Sequence, residues 1–179
     1  MFKIRDYPYL TVEDQVFFPG SICGLRLGQQ PGREAAFAAW RRESKTLAIF
    51  TLQGEGDGLD ELYPIGVTCV IREFSDNEIE VEVLERVKLR DISRISHPIA
   101  QVQLLELPSQ GTGEELDERD GQLRELAERV FRRVSGSGRQ ATELLEEIEP
   151  GQYLGLGDFL AATLALPSQA ALEILASPT

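Results

Sequence analysis

The run EIEVEVLERVKLRDI, Glu78 to Ile92, constrains the fold more than any other stretch of the chain. Ile79, Val81 and Val83 alternate with Glu78, Glu80 and Glu82. A period of two sorts them onto opposite faces of an extended strand, one apolar and one solvated. Just before it lies IGVTCVIREF (Ile65 to Phe74), a second β-branched run. The intervening SDNE (Ser75 to Glu78) is a four-residue hairpin connection rich in turn formers.

Other segments up to Pro108 read the same way. TLAIFTLQ (Thr46 to Gln53) is a short β-branched and aromatic strand, and IAQVQLLEL (Ile99 to Leu107) follows a break at His97-Pro98. One helix interrupts the series: in REAAFAAWRRE (Arg33 to Glu43), Phe37 and Trp40 are three apart and share a face. The densest aromatic cluster, Val16-Phe17-Phe18, abuts a Pro19-Gly20 turn.

After Pro108 the period changes. SQGTGEE is a joint, and LDERDGQLRELAERVFRRV carries Leu116, Leu123, Leu126, Val130 and Val134 at helical spacing. SGSG (Ser135 to Gly138) breaks that helix, and RQATELLEEIE forms another, stopped by Pro150-Gly151. Asp158 is placed to cap DFLAATLAL, and Pro167 opens a last helix. The pattern predicts an α+β chain with a β-rich subdomain over 1–108 and a helical subdomain over 109–179.

Sites of chemistry are absent from this pattern. The single histidine, His97, precedes a proline in a loop, and no GxSxG elbow supplies a nucleophile. Cys23 and Cys69 sit in apolar runs without metal-ligand spacing and read as buried free thiols, so no metal and no cofactor is expected. GEGDG (Gly54 to Gly58) and GLGD (Gly155 to Asp158) are loops; acidic residues there would repel a phosphate, and GxxxxGK[ST] does not occur. The chain reads as no enzyme. Its net charge is −12, with 12 Lys+Arg against 17 Asp+Glu up to Pro108 and 6 against 13 beyond it. Neither part has the basic field that draws proteins to nucleic acid. The start, MFKIRDYPYL, lacks the apolar core of a signal peptide, and no apolar run approaches bilayer length; a cytoplasmic location without membrane association is expected.

The order of motifs resembles the N-terminal substrate-binding (LON) domain of Lon-type ATP-dependent proteases. A D-x-V-x-F-P-G stretch is matched by Asp14, Val16, Phe18, Pro19 and Gly20, and a Gly-Arg-Glu helix start by Gly32, Arg33 and Glu34. Tyr63-Pro64-Ile65-Gly66 matches a strand entry, and Val83-Leu84-Glu85-Arg86-Val87 a hairpin strand. The tail EPGQYLGLGDFLAATLALPSQAALEIL looks like the family's helical segment. Three departures stand out: PYLTVED replaces a Leu-Pro-Leu strand, LRLGQQPG is longer than the usual connection, and Leu84 replaces a glycine.

The resemblance implies a PUA-like β-pseudobarrel with one interrupting helix, followed by a C-terminal helical bundle. Phe17 and Phe18 would end a barrel strand, one of them turned into the core, with Pro19-Gly20 bending the chain at a corner. It also implies a non-catalytic module that binds exposed apolar segments of unfolded or damaged polypeptides, with itself or protease subunits as further partners. ATPase and Ser-Lys peptidase parts would lie downstream. Candidate substrate-binding residues are Phe37, Trp40, Arg41, Leu156 and Phe159, for each of which core packing is the competing role. A PUA-like RNA-binding module is the alternative, with Arg41, Arg42, Lys45 and the Lys88, Arg90, Arg94 series as its local basic residues.

Overall fold

The computed structural model describes residues 4–28, 30–53, 58–94, 96–105 and 166–177, together with 121, 122, 125, 129, 157, 158 and 160–162. Its elements run β1 (Ile4–Val12), β2 (Ile22–Arg26), α1 (Gln30–Trp40), β3 (Thr46–Thr51), a 3-10 turn (Leu59–Glu61), β4 (Ile65–Phe74), β5 (Glu78–Arg94), β6 (Pro98–Leu104) and α2 (Ser168–Ala176). The hairpin between β4 and β5 forms as its sequence requires. Phe74 faces Ile79, and the Ser75 amide donates to the Glu78 carbonyl at 2.8 Å.

Six strands make one sheet, ordered β2-β5-β4-β3-β1-β6, and β5 also pairs with β6. That last pairing closes β5, β4, β3, β1 and β6 into a ring. β5 is long enough, at 17 residues, to serve two neighbours on one edge: β2 along Glu78–Glu82 and β6 along Val87–Arg94. β1 and β3 run parallel, and the other pairs are antiparallel.

Both faces of the sheet are covered, which is why β3 is buried at every position and apolar from Leu47 to Phe50. Leu47 and Ile49 enter one cluster with Ile71, Val81 and Val83, while Ala48 and Phe50 enter another with Tyr9, Val87 and Leu89. α1 lies against the first cluster through Ala35, Ala36 and Ala39, all fully buried. Small side chains let the helix approach the sheet closely.

β5 changes face midway. Thr68 pairs with Glu85 but Cys69 with Val83, so Leu84 is an extra residue in the ladder, a β-bulge. Before it, Ile79, Val81 and Val83 point into the first cluster; after it, Val87 and Leu89 point into the second. Arg86 is thereby returned to the side covered by α2. Leu84 itself is exposed, which explains how a leucine is accommodated where the resembling family has glycine.

Arg86 is buried. Its guanidinium pairs with the buried Asp158 carboxylate and donates to the carbonyls of Leu175 at 3.0 Å and of Ile174 and Ser177 at 3.3 Å. These carbonyls close the C-terminal end of α2, where backbone acceptors lack helical partners and the helix dipole favours a cation. The Tyr63 hydroxyl donates to the Leu172 carbonyl at 3.2 Å, and the Ser168 hydroxyl to the Asp14 carbonyl at 3.0 Å. Ala171, Leu172 and Leu175 are buried beneath the helix. Burial raises the Asp158 carboxyl above its ordinary pKa, against the opposing hydrogen bond and charge of Arg86.

Several sequence expectations shift. Asp14 to Phe18 does not form or end a strand, because Asp14 takes a left-handed conformation (φ 53) just beyond β1. Phe18 is nonetheless buried in the first cluster, and Pro19-Gly20 does turn the chain. Gly20 has φ 85; its amide donates to Val83 O, and Val83 donates back to Ser21 O. Two residues thus face one, a glycine bulge that starts β2. α1 begins at Gln30, before the expected Arg33, since Pro31 suits a first helical turn that needs no amide donor. Asp158 lies within helical residues 157–158, and its carboxylate serves Arg86 instead of capping an N-terminus.

Gly121, Gln122, Glu125 and Arg129 are helical and exposed. The remainder of the expected helix over Leu116–Val134, the SGSG break, the helix after it, the joint after Pro108 and most of GEGDG lie outside the described residues. Cys69 is buried and Cys23 partly so; both are free, and burial raises both thiols above their ordinary pKa.

Candidate functional site

A hairpin tip and a helix end make the most distinctive surface. Phe74 ends β4, and α1 passes over it with Phe37 and Trp40 turned to the same side. The Trp40 and Phe74 rings stack at 5.8 Å between centroids, and Phe37 meets Phe74 at 6.2 Å. Phe37 is 51% exposed, so the cluster is only partly a core contact. The Arg33 guanidinium donates to the Asp76 carbonyl at 2.5 Å and ties the first turn of α1 to the tip of the β4–β5 hairpin.

Cations lie over two of the rings. The Arg41 guanidinium stands 5.6 Å from the centre of Phe37, and the Lys45 ammonium 3.8 Å from that of Trp40. Lys45 adopts a left-handed backbone (φ 48), uncommon for a residue with a side chain. Its amide donates to Arg42 O and its carbonyl accepts from Ile71, which fixes the turn joining α1 to β3. At exposed positions such cation–ring contacts contribute about 0.5–1 kcal/mol each.

Beside the rings opens a cavity of about 330 Å³ lined by Phe74, Gly24 and the carboxylate-bearing Glu73, Glu78 and Glu80. It shares Gly24 and Glu78 with a larger groove of about 560 Å³, walled by Gly24–Gly28 on one side and by Leu10–Glu13 with Gln15 on the other. Aromatic surface, acidic cavity and groove are therefore contiguous around the hairpin. Chemically this offers apolar contact with a polar border. Among the described residues, no three His, Cys, Asp or Glu side chains gather as metal ligands, and no helix is long and apolar enough to cross a membrane.

Of the sequence-predicted site residues, the structure brings Phe37, Trp40 and Arg41 together on one surface. Leu156 and Phe159 lie outside the described residues. Phe74 was not singled out by sequence as a site residue, and Lys45 only as a basic residue of the RNA-binding alternative. An aromatic residue abutting the SDNE turn was a usable signal for Phe74; that Lys45 would lie over Trp40 was not legible, because its position depends on the turn after α1. The other basic residues diverge: Arg90 is engaged with the Gln103 side chain, and Arg42 donates to the Asp6 carbonyl at 3.3 Å.

Residues 6–179 match the family model described as the ATP-dependent protease La (LON) substrate-binding domain. The chain is 27% identical to a Lon protease of Anaeromyxobacter dehalogenans (strain 2CP-C) over 178 residues, which are 94% of this chain and 21% of the relative. It is likewise 27% identical to Lon protease 2 of Myxococcus xanthus over 179 residues, 93% of this chain and 21% of that one. The chain thus spans about a fifth of the length of the curated relatives it matches. Among solved structures it resembles the N-terminal domain of Mycobacterium avium complex Lon protease, with TM-score 0.61, 18% identity and coverage of 96% of each chain. A Lon N-terminal domain protein from Xanthomonas campestris superposes with TM-score 0.68 at 18% identity, covering 97% of this chain and 90% of that one. At this identity the two structures bear on the fold.

Proposed function

The chain belongs to the ATP-dependent protease La (LON) substrate-binding domain family, and from that premise we propose that it recognises exposed apolar segments of unfolded or damaged polypeptides on the Phe37–Trp40–Phe74 surface. The matched domain is non-catalytic, and the protease and ATPase parts belong to other regions of the parent. In this reading the closed sheet is the family's PUA-like pseudobarrel, and the helical residues after Pro108 form its bundle. The protein works in the cytoplasm, with protease subunits or further copies of itself as additional partners.

The observation that carries the reading is the half-exposed Phe37 in a three-ring cluster. A ring held open to solvent against Phe74, which in turn stacks on Trp40, gives a preformed apolar contact for a side chain that a folded client would keep inside. Fluorescence anisotropy with labelled, reduced and carboxymethylated lactalbumin tests it. Wild type binds the unfolded probe above the folded one, and Phe37→Ser with Trp40→Ser weakens binding at least fivefold. Equal affinity for folded and unfolded probes overturns the reading.

The RNA alternative has one observation in its favour, the cations over Phe37 and Trp40. Glu73, Glu78 and Glu80 line the adjoining cavity and would repel a phosphate backbone. Retention on an RNA column at moderate salt, lost steeply as salt rises, would reverse that ranking.

A further inference from the structure

Among the described residues, β2 is paired along one edge only. Cys23, Leu25 and Leu27 stand at odd positions, and Leu27 donates to Asn77 O on the β5 side. In an antiparallel ladder the direction of backbone groups alternates. Ile22, Gly24 and Arg26 therefore turn their N–H and C=O groups away from β5. Among the described residues, no backbone group outside β5 bonds to these three.

Natural edge strands are blunted by lysine, proline or a covering element. Ile22–Arg26 has neither lysine nor proline, and Ile22 is 63% exposed. At its centre is Gly24. Gly20 is held by its positive φ, and Gly66 by a backbone oxygen that a Cβ would strike, but Gly24 has neither reason. A Cβ there would meet only the Glu78 carboxylate, at an ordinary 3.5 Å, and one at Gly28 would meet nothing within 4 Å. A strand glycine that the fold does not require marks a place where another backbone approaches. Gly24–Gly28 also form one wall of the 560 Å³ groove, whose apolar lining includes Leu10 and Leu27.

We propose that the free edge of β2 takes an extended client segment as an added strand, one in which apolar residues alternate with lysine or arginine. This deepens the recognition function proposed above and rests on it. Main-chain hydrogen bonds to Ile22, Gly24 and Arg26 supply sequence-tolerant affinity, which suits a module meeting many clients. Charge selects the occupant: Glu13 and Glu78 border the groove with Arg26, and Glu73, Glu78 and Glu80 line the adjoining cavity. The same carboxylates disfavour edge-to-edge pairing with a second copy. Phe74 joins the cavity to the aromatic surface, so one segment can reach both.

The test uses the whole chain and short fluorescein-labelled peptides alternating valine with lysine or valine with glutamate. The lysine peptide binds at least tenfold tighter than the glutamate one. Two N-methylated versions of the lysine peptide carry the methyl groups on alternate sets of backbone nitrogens: one set weakens binding at least tenfold, and the other leaves it unchanged. Gly24→Pro, which removes an outward amide and no bond to β5, weakens the lysine peptide at least tenfold at an unchanged melting temperature. If both methylated peptides bind like the parent, strand addition is overturned, whatever the variant does. Carboxymethylated lactalbumin separates the two ideas. Binding lost in Phe37→Ser/Trp40→Ser but untouched by Gly24→Pro sinks strand addition and keeps the recognition reading, whereas no binding to wild type sinks the recognition reading.

Discussion

Replacing Arg86 by Met tests how α2 is held to the sheet. The substitution keeps the length and apolar body of the side chain and removes its charge and donors. It leaves the Asp158 carboxylate, 2% exposed, without its cation, and takes the shared donor from the carbonyls of Ile174, Leu175 and Ser177. Breaking a buried pair by removing one partner costs about 3–5 kcal/mol, because the other charge stays buried and uncompensated. That is roughly a hundred- to several-thousand-fold in the unfolding constant. It is also a large part of the roughly 5–15 kcal/mol that holds an ordinary domain folded. Urea unfolding followed by far-ultraviolet circular dichroism measures the loss, and amide exchange across Ser168–Ala176 shows whether α2 is released first. Because the single variant can fall below the folding threshold, Arg86→Met with Asp158→Leu completes the comparison. With no charge left to strand, the double variant recovers most of the stability. A loss under about 1 kcal/mol for Arg86→Met, or a double variant no better than the single, would refute the view that this pair fastens the helix.

Three further outcomes are expected. Gly66→Ala places a Cβ 2.4 Å from the Ile49 carbonyl oxygen and from the Phe50 ring, neither free to move within the sheet, so it costs about 3 kcal/mol by urea titration. Between the ordinary carboxyl pKa and the raised value of Asp158, the folded chain keeps a proton that the unfolded chain has released. The stability from this group therefore grows as pH falls through that window and is lost as pH rises through the folded pKa; the melting temperature of wild type gains on that of Asp158→Asn from pH 7 toward pH 4. For the thiols, mass spectrometry after alkylation at mildly alkaline pH shows Cys23 modified slowly and Cys69 only as fast as the protein unfolds, because Cys69 is fully buried while Cys23 is partly exposed.

Much of the proposed surface was legible in local pattern. Phe37 and Trp40 lie on α1 and Arg41 directly follows its last residue, its amide bonded to the Phe37 carbonyl, so their spacing alone places them together. What spacing cannot say is which way that face turns. The buried face of α1 is made by Ala35, Ala36 and Ala39, small residues that carry little weight in a hydrophobic pattern, so the larger rings were left at the margin with Phe74. The β2 edge was hidden for another reason. An unpaired strand edge is a property of the sheet, since the same five residues would read identically in its middle.

The alternation of β5 determined a strand, its hairpin with β4, and which of Ile79, Val81 and Val83 would be buried, because a period of two has only one way to sort residues by face. The Pro19-Gly20 turn and a phenylalanine in the core beside it were equally local matters. Only the tertiary structure decided where Arg86 goes. One extra residue at Leu84 reverses the facing of everything after it, so Val87 and Leu89 change clusters and an arginine in a strand becomes the buried anchor of a helix some ninety residues away. A bulge is settled by how two strands register against each other, and that information belongs to neither strand alone.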